Sequence, residues 1–326
     1  TCTASIGLMT IVYTCFDGHK TFTNSLALNN TGVNTSKLNQ LERFVKKFPK
    51  EGVHMSGEQL HNRLDEIEQI RGLYTPLQLG LAAAFACAAF TFLLGGGPIV
   101  MLCAFIGAGV GNFLRCHLIK RHFTLYLCVI SSVALACLSY IVSLRLIDTI
   151  FTLSGNHEAG YICAMLFIIP GFPFITSGID LAKLDMRSGL ERLAYAVIIV
   201  VTATITGWVM STLLGLQPAD FEALAIPSGL HLVLRLAASF VGVFGFSIVF
   251  NSPVSIAASA AVIGAVANTL RLELVDFTEF PAAVAAFVGS LAAGLLASFL
   301  MKRLGYPRIS VTVPSIVIMV PGLYLF

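Results

Sequence analysis

From Thr75 onward the chain is a near-unbroken succession of apolar runs separated by short breaks. A hydrocarbon core about 30 Å thick is crossed by about 20 apolar residues in helical form. Backbone passing through lipid must also satisfy its own hydrogen bonds, which restricts such runs to helices. The runs fall at about 76–95, 97–115, 122–143, 160–179, 191–214, 229–250, 252–270, 279–300 and 309–326, nine expected spans. Breaks lie at Gly95-Gly-Gly-Pro98, Gln217-Pro218, Asn251-Ser-Pro253 and Tyr306-Pro307. Only 11% of residues are charged, against about 25% in a soluble domain. That deficit excludes an ordinary soluble enzyme, a disordered chain and a nucleic-acid binder, and it makes the lipid bilayer the first partner. The net charge of +3 is too small to name another.

The placement of charge says more than its amount. Residues 1–71 hold eight of the twenty Lys/Arg and seven of the seventeen Asp/Glu. Within them Ala4–Phe16 reads as one buried strand and Lys20–Leu28 as a second, while Ser36–Phe48 and Ser56–Ile70 have helical apolar spacing. Ser56-Gly-Glu-Gln59 has the form of a capping box. This predicts a small α/β domain outside the membrane. If it is cytoplasmic, the inner loops carry Arg115, Lys120, Arg121, Lys183, Arg187, Arg192, Lys302, Arg303 and Arg308, and the outer loops only Arg145 and Arg271. Such an asymmetry is the positive-inside pattern. The eight cysteines form no C-x-x-C pair, and most lie in apolar runs. They read as buried hydrophobes, with no metal site and no disulfide framework.

Two stretches resemble each other. One runs from Pro98 to Asn112-Phe-Leu-Arg115, the other from Pro253 to Asn268-Thr-Leu-Arg271. Farther on, Pro170-Gly171 in the fourth span matches Pro321-Gly322 in the ninth. Spans one to five then correspond to spans six to ten. Five is odd, so the halves have opposite orientation, the inverted-repeat plan of many secondary transporters. The expected fold class is an all-α polytopic membrane protein of two inverted five-helix repeats, nine spans present and the tenth missing, with a small N-terminal α/β domain. The expected boundaries are 1–71, 72–214 and 215–326, the last an incomplete repeat, which suggests a chain truncated at its C-terminal end.

Candidate binding residues follow from the breaks. Pro170, Gly171 and Pro173 disrupt the fourth span, because proline lacks a donor and clashes with the preceding turn. Backbone groups freed in a bilayer must face protein or a wet cavity, where carbonyls suit a cation and amides an anion. A zwitterionic amino acid needs both. Thr176 and Ser177 follow this break, and Pro314, Ser315, Pro321 and Gly322 form its counterpart. Asn112 and Asn268 are polar residues within spans, equally readable as helix-to-helix bonds. Asp180, near the end of span four, is the best carboxylate for coupling protons and is equally readable as a solvated helix-end charge, and Arg235 is the clearest intramembrane cation, readable as a ligand for a carboxylate or as the partner of Asp220 or Glu222. Gly107 and Gly111 form a G-x-x-x-G packing face. No nucleotide loop, zinc-protease helix or nucleophile elbow is present in the sequence, so no cofactor and no enzymatic activity are expected.

The order of these features resembles the bacterial threonine/serine exporter family. The resemblance rests on Gly57-Glu-Gln-Leu-His-Asn-Arg-Leu-Asp-Glu-Ile67, on Pro170-Gly171 followed by Ser177-Gly-Ile-Asp180, and on Pro314-Ser-Ile-Val-Ile-Met-Val-Pro-Gly322. It implies a ten-span inner-membrane carrier with a cytoplasmic N-terminal domain, exporting L-threonine and L-serine by the proton motive force. Two-subunit relatives resemble dicarboxylate (succinate) exporters, and a homo-oligomer stays open. A non-transporting scaffold or sensor, with residues 1–71 as its working part, is the reading from a different class.

Overall fold

The computed structural model describes residues 1–28, 32–151, 157–216, 221, 226–278 and 280–319, with the side chains of 278 and 301–304 outside that description. Gln217, Pro218, Asp220, Glu222, Pro321 and Gly322 therefore lie outside the described residues.

The stretch expected to be one buried strand, 4–16, is instead a hairpin. Strand β1 (Cys2–Ile6) turns back at Gly7–Met9 into β2 (Thr10–Phe16), and Gly7 N donates to Thr10 O at 2.8 Å. Strand β3 (Thr21–Ala27) completes an antiparallel sheet in the order β1-β2-β3. The β2–β3 turn uses Gly18 at φ +106°, a region open to glycine. Asp17 Oδ1 accepts from Lys20 N at 2.8 Å and His19 N at 2.9 Å. These bonds, Lys20 first, hold the Asp17 carboxyl below the usual carboxylate range.

Helices α1 (Thr35–Glu51) and α2 (Gly57–Glu68) match the apolar spacing. The capping box forms in both directions, Gln59 N to Ser56 Oγ at 3.2 Å and Ser56 N to Gln59 Oε1 at 2.9 Å. The sheet and these helices do not share a core. Ile67 is the one buried hydrophobic residue among the described residues of 1–71, and Ile6, Phe22 and Leu26 of the sheet stay exposed. The apolar run suggested burial, but no partner layer covers that face.

Each part leans on the membrane helices instead. Helix α3 is Pro76–Leu93, α4 Pro98–Lys120, α5 Leu125–Phe151, α6 Tyr161–Met165, α7 Gly171–Ala182, α8 Met186–Leu214, α9 Ser228–Val249, α10 Val254–Thr278, α11 Ala282–Leu304 and α12 Arg308–Val317. The sheet sits on the start of α8. Arg187 donates to Ser5 Oγ and Thr10 Oγ1, both at 3.1 Å, Ser188 Oγ to Ile6 O at 2.8 Å, and Leu8 N to Glu191 Oε2. Helix α1 begins on the α9–α10 turn, where Thr35 N donates to Phe250 O at 3.2 Å and the Thr35 and Ser252 hydroxyls lie 2.7 Å apart. Asn251 ties both ends of the segment, donating to Asn34 Oδ1 at 2.8 Å and accepting from Leu73 N at 2.7 Å. Its φ of +58° is one that asparagine adopts more readily than most side chains.

Seven helices, α3, α4, α5, α8, α9, α10 and α11, are long and apolar enough to cross a bilayer. The pair α6/α7, bent by 56°, makes an eighth if counted as one span, and α12 is a shorter apolar helix. The nine sequence windows thus become seven straight spans, one broken span and α12 among the described residues. Helix α10 also outruns its window, 252–270, and carries Arg271, Glu273 and Asp276 on the helix, where the sequence suggested a loop.

Neighbours recur across the chain. Helices α3, α4 and α5 pack in succession and α6 lies against all three. Helices α9, α10 and α11 do the same, with α12 against all three. Small residues permit these approaches. A Cβ at Gly107 would come within 2.8 Å of Ala136 O, and one at Gly111 within 2.9 Å of Ala136 Cβ, the packing that the G-x-x-x-G spacing predicts. The two sets join through α3 and α9. A Cβ at Gly245 would lie 2.5 Å from Ala82 O, one at Gly242 would lie 3.8 Å from Ala89, and the Phe92 and His231 rings are 6.1 Å apart. Rising numbers on α3 meet falling numbers on α9, so the two helices run antiparallel.

Candidate functional site

The break of the fourth span falls between a 3₁₀ turn at Leu166–Ile168 and α7. Gly171 N reaches back only to Ile169 O, at 2.9 Å, before Phe174 N resumes helical bonding to Pro170 O at 3.1 Å. Pro170 makes this break. Pro173 does not add to it, because it sits in the first turn of α7, where its missing N–H has no helical partner to lose. Pro170, Gly171 and Phe172 are buried.

Helix α12 lies directly across from the break. A Cβ at Gly171 would meet both Val317 methyl groups at 3.0 Å, so the backbone of α7 touches a side chain of α12 with no room to spare. Pro314 stands inside α12, depriving the Ser310 carbonyl of its usual donor. Ser315 Oγ lies 2.7 Å from Val311 O and 2.9 Å from Ala260 O of α10, which ties α12 to its neighbour. The fourth span and the described part of the ninth therefore meet, through Gly171 and Val317. Phe172 adds an edge contact to Phe250 at 5.4 Å.

The remaining candidates are spread along the helices. Thr176 and Ser177 are buried on α7. Thr176 Oγ1 bonds back to Phe172 O at 3.0 Å, and Ser177 Oγ reaches Gly189 O of α8 at 2.9 Å. Asp180, at the end of α7, pairs with Arg192 of α8 at 2.9 Å. Both residues are half-buried, beside the corner that carries the sheet. Asn112 and Asn268 are each 1% exposed. Asn112 Nδ2 donates to Leu79 O of α3 and Asn268 Nδ2 to Ser239 Oγ of α9, both at 2.9 Å. The two asparagines thus make equivalent helix-to-helix bonds within their own sets. Neither joins the Gly171–Val317 contact.

Arg235 stands apart, two turns into α9. It pairs with Glu273 at 2.8 Å and Asp276 at 2.6 Å. Both partners lie on the stretch of α10 that the sequence assigned to a loop, which is why the pairing was not legible there. Asn251 and Ser252 were likewise legible only as a break. A proline-flanked turn does not reveal that its side chains grip a segment more than 170 residues away. Tyr74 joins that grip, donating to Ser252 O at 2.7 Å, and partial burial raises its phenol pKa above the ordinary value.

Chemically, the arrangement is a proline-broken helix closed against a short proline-containing helix, with the Thr176 and Ser177 hydroxyls farther along α7 and the Asp180–Arg192 ion pair at its end. Among the described residues no group of three His, Cys, Asp or Glu is placed to hold a metal. Together with seven apolar helices this defines a multi-pass membrane protein with its irregular backbone inside the helix bundle.

Comparison with known proteins narrows that class. Residues 1–215 match the family described as "Putative threonine/serine exporter", and residues 235–326 match "Threonine/Serine exporter, ThrE". The chain belongs to the threonine/serine exporter family, a transporter family. It is also similar to the "Probable succinate transporter subunit YjjP" of Escherichia coli (strain K12) and to the protein of the same description from Klebsiella aerogenes. Each is 24% identical over 217 residues, covering 66% of this chain and 80% of the relative. No solved structure matches.

Proposed function

We propose that the chain is a secondary carrier that exports L-threonine and L-serine across the bacterial inner membrane, driven by the proton motive force, with its N-terminal segment in the cytoplasm. The observation that carries this reading is the closure of the broken α6/α7 span against α12 at Gly171 and Val317. Breaks of this kind are where inverted-repeat carriers hold their substrates. The recurring helix neighbours and the antiparallel α3–α9 contact support two inverted repeats. Pro170, Gly171, Thr176, Ser177, Pro314 and Ser315 form the proposed substrate path. Asn112 and Asn268 fix the hairpins around it.

The orientation rests on the nine-to-two distribution of basic residues between the two ends of the expected spans. Asp180 is the proposed proton carrier, since it is the carboxylate at the end of the broken span, held there by Arg192. A zwitterion suits this path better than a dianion, because Arg235, the cation within α9, is already matched by Glu273 and Asp276.

Similarity to a probable succinate transporter subunit favours a second reading, dicarboxylate export. Proteoliposomes loaded with labelled threonine or succinate, under an imposed pH gradient, separate the two. Proton-driven threonine efflux that a protonophore abolishes is the expected result. Succinate efflux without threonine efflux would overturn the substrate assignment, and no gradient-dependent efflux of either would overturn the carrier reading.

A further inference from the structure

The sequence reads all eight cysteines as buried hydrophobes, and the helical ones behave so. Cys87, Cys103, Cys128, Cys137 and Cys163 are buried, and Cys116 is half-buried. Cys2 and Cys15 are different. They face one another across β1 and β2, their sulfurs 2.6 Å apart, with Cys2 exposed and Cys15 partly so.

The ladder around them decides what such a pair can do. Thr1 and Phe16 exchange both backbone bonds, Thr1 N to Phe16 O at 2.8 Å and Phe16 N to Thr1 O at 2.7 Å. Bonded and non-bonded pairs alternate along an antiparallel ladder, so Cys2–Cys15 is a non-hydrogen-bonded pair. There the Cα atoms stand about 4.5 Å apart. That spacing lies at the short end of the range a disulfide spans, about 4.4–6.8 Å. The strands need no change of register to be bridged.

We propose that Cys2 and Cys15 are a reversible dithiol–disulfide couple that staples the β1–β2 hairpin. The oxidant class is a low-molecular-weight disulfide. The thiolate of Cys2, the more exposed sulfur, attacks one sulfur of that disulfide and expels one small thiol, leaving a mixed disulfide on Cys2. The thiolate of Cys15 then attacks the Cys2 sulfur and expels the second small thiol. The protein dithiol loses two electrons and two protons, and the small disulfide is reduced to two thiols. In the reduced pair, a hydrogen bond that Cys15 donates to the Cys2 sulfur raises the Cys15 thiol above its ordinary pKa. The stapled hairpin is the one that docks on α8 through Ser5, Ile6, Leu8 and Thr10. In a glutathione-reduced compartment a couple so exposed senses disulfide stress.

Full-length protein in membranes is treated with excess oxidised glutathione or with dithiothreitol, alkylated with N-ethylmaleimide, digested and measured by mass spectrometry. The expected result is a peptide joining Cys2 to Cys15 after oxidation, at least tenfold depleted after dithiothreitol and absent from the Cys15→Ser variant. Two outcomes overturn the proposal: both cysteines fully alkylated after oxidation, or Cys2 joined to Cys2 of another copy in place of Cys15. The wild-type measurement stands by itself, even if Cys15→Ser lowers expression.

Discussion

Gly245→Ala tests the contact that joins the two helix sets. The new Cβ would lie 2.5 Å from Ala82 O and 2.9 Å from Ala86 Cβ. Ordinary contact begins near 3.5 Å, so the helices must part by roughly 1 Å. The first obstacle is backbone and cannot rotate away. Overpacking of this kind costs about 1–3 kcal/mol. Against it stands the gain from replacing glycine within a helix, about 0.8–1.0 kcal/mol. The matched control is Gly294→Ala on α11, where nothing lies within 4 Å, so only the gain remains. The two variants should therefore differ by about 1–3 kcal/mol, the overpacking term alone. Thermal unfolding of the purified protein in detergent reads that difference, with Gly245→Ala melting below wild type or level with it and Gly294→Ala at or above it. If Gly245→Ala melts as high as Gly294→Ala, α3 and α9 do not touch closely at Gly245 and Ala82.

Three further outcomes are expected. Asp180→Asn weakens the pair to Arg192 and slows pH-driven efflux in proteoliposomes, whereas efflux with an unaltered pH dependence would remove Asp180 from the coupling step. Glu273→Gln should cost more stability than Asp276→Asn. Glu273 is 26% exposed beside an Arg235 that is 11% exposed, and breaking such a pair costs up to about 3 kcal/mol; Asp276 is 47% exposed, which limits its share to about 0–1 kcal/mol. Finally, the depressed Asp17 carboxyl contributes to the β2–β3 turn above its unfolded pKa of about 3.9, and that contribution is lost as pH falls through the lower folded value. Asp17→Ala should speed hydrogen exchange at the Lys20 amide near neutral pH and leave little further change on acidification.

Sequence periodicity was a good guide wherever one physical requirement dominated. Among the described residues, apolar length located the seven helices long enough to cross a bilayer, because lipid permits no alternative to a fully bonded backbone. Pro170 announced its break and Ser56 its cap, since both act through bonds within a few residues. The register of the first strands was harder to read. An unbroken β-prone run from Ala4 to Phe16 hides a turn at Gly7 that the composition does not single out. The partners of Arg235, Asn251 and Ser177 were invisible for a different reason. Each is chosen by which helix lies alongside, and helix adjacency is a property of the packed bundle. Among the site candidates, Gly171 gained a specific opposite number, Val317. The two asparagines proved to be brackets within their own helix pairs.

The N-terminal segment has two anchorages, and they are on different sets of helices. Its sheet is fixed to α8, and the start of α1 to the turn between α9 and α10. The two parts share no core, so each travels with the helices that hold it. The anchorage of α1 is made of single neutral bonds, at Asn251 and Ser252; that of the sheet includes Arg187 and Glu191, whose charged bonds are the stronger kind. If the two sets of helices rock against one another, the strands ride with α8 and the start of α1 with the α9–α10 turn. Relative motion within the helix bundle is then displayed at its surface, as a change in where the sheet stands against α1.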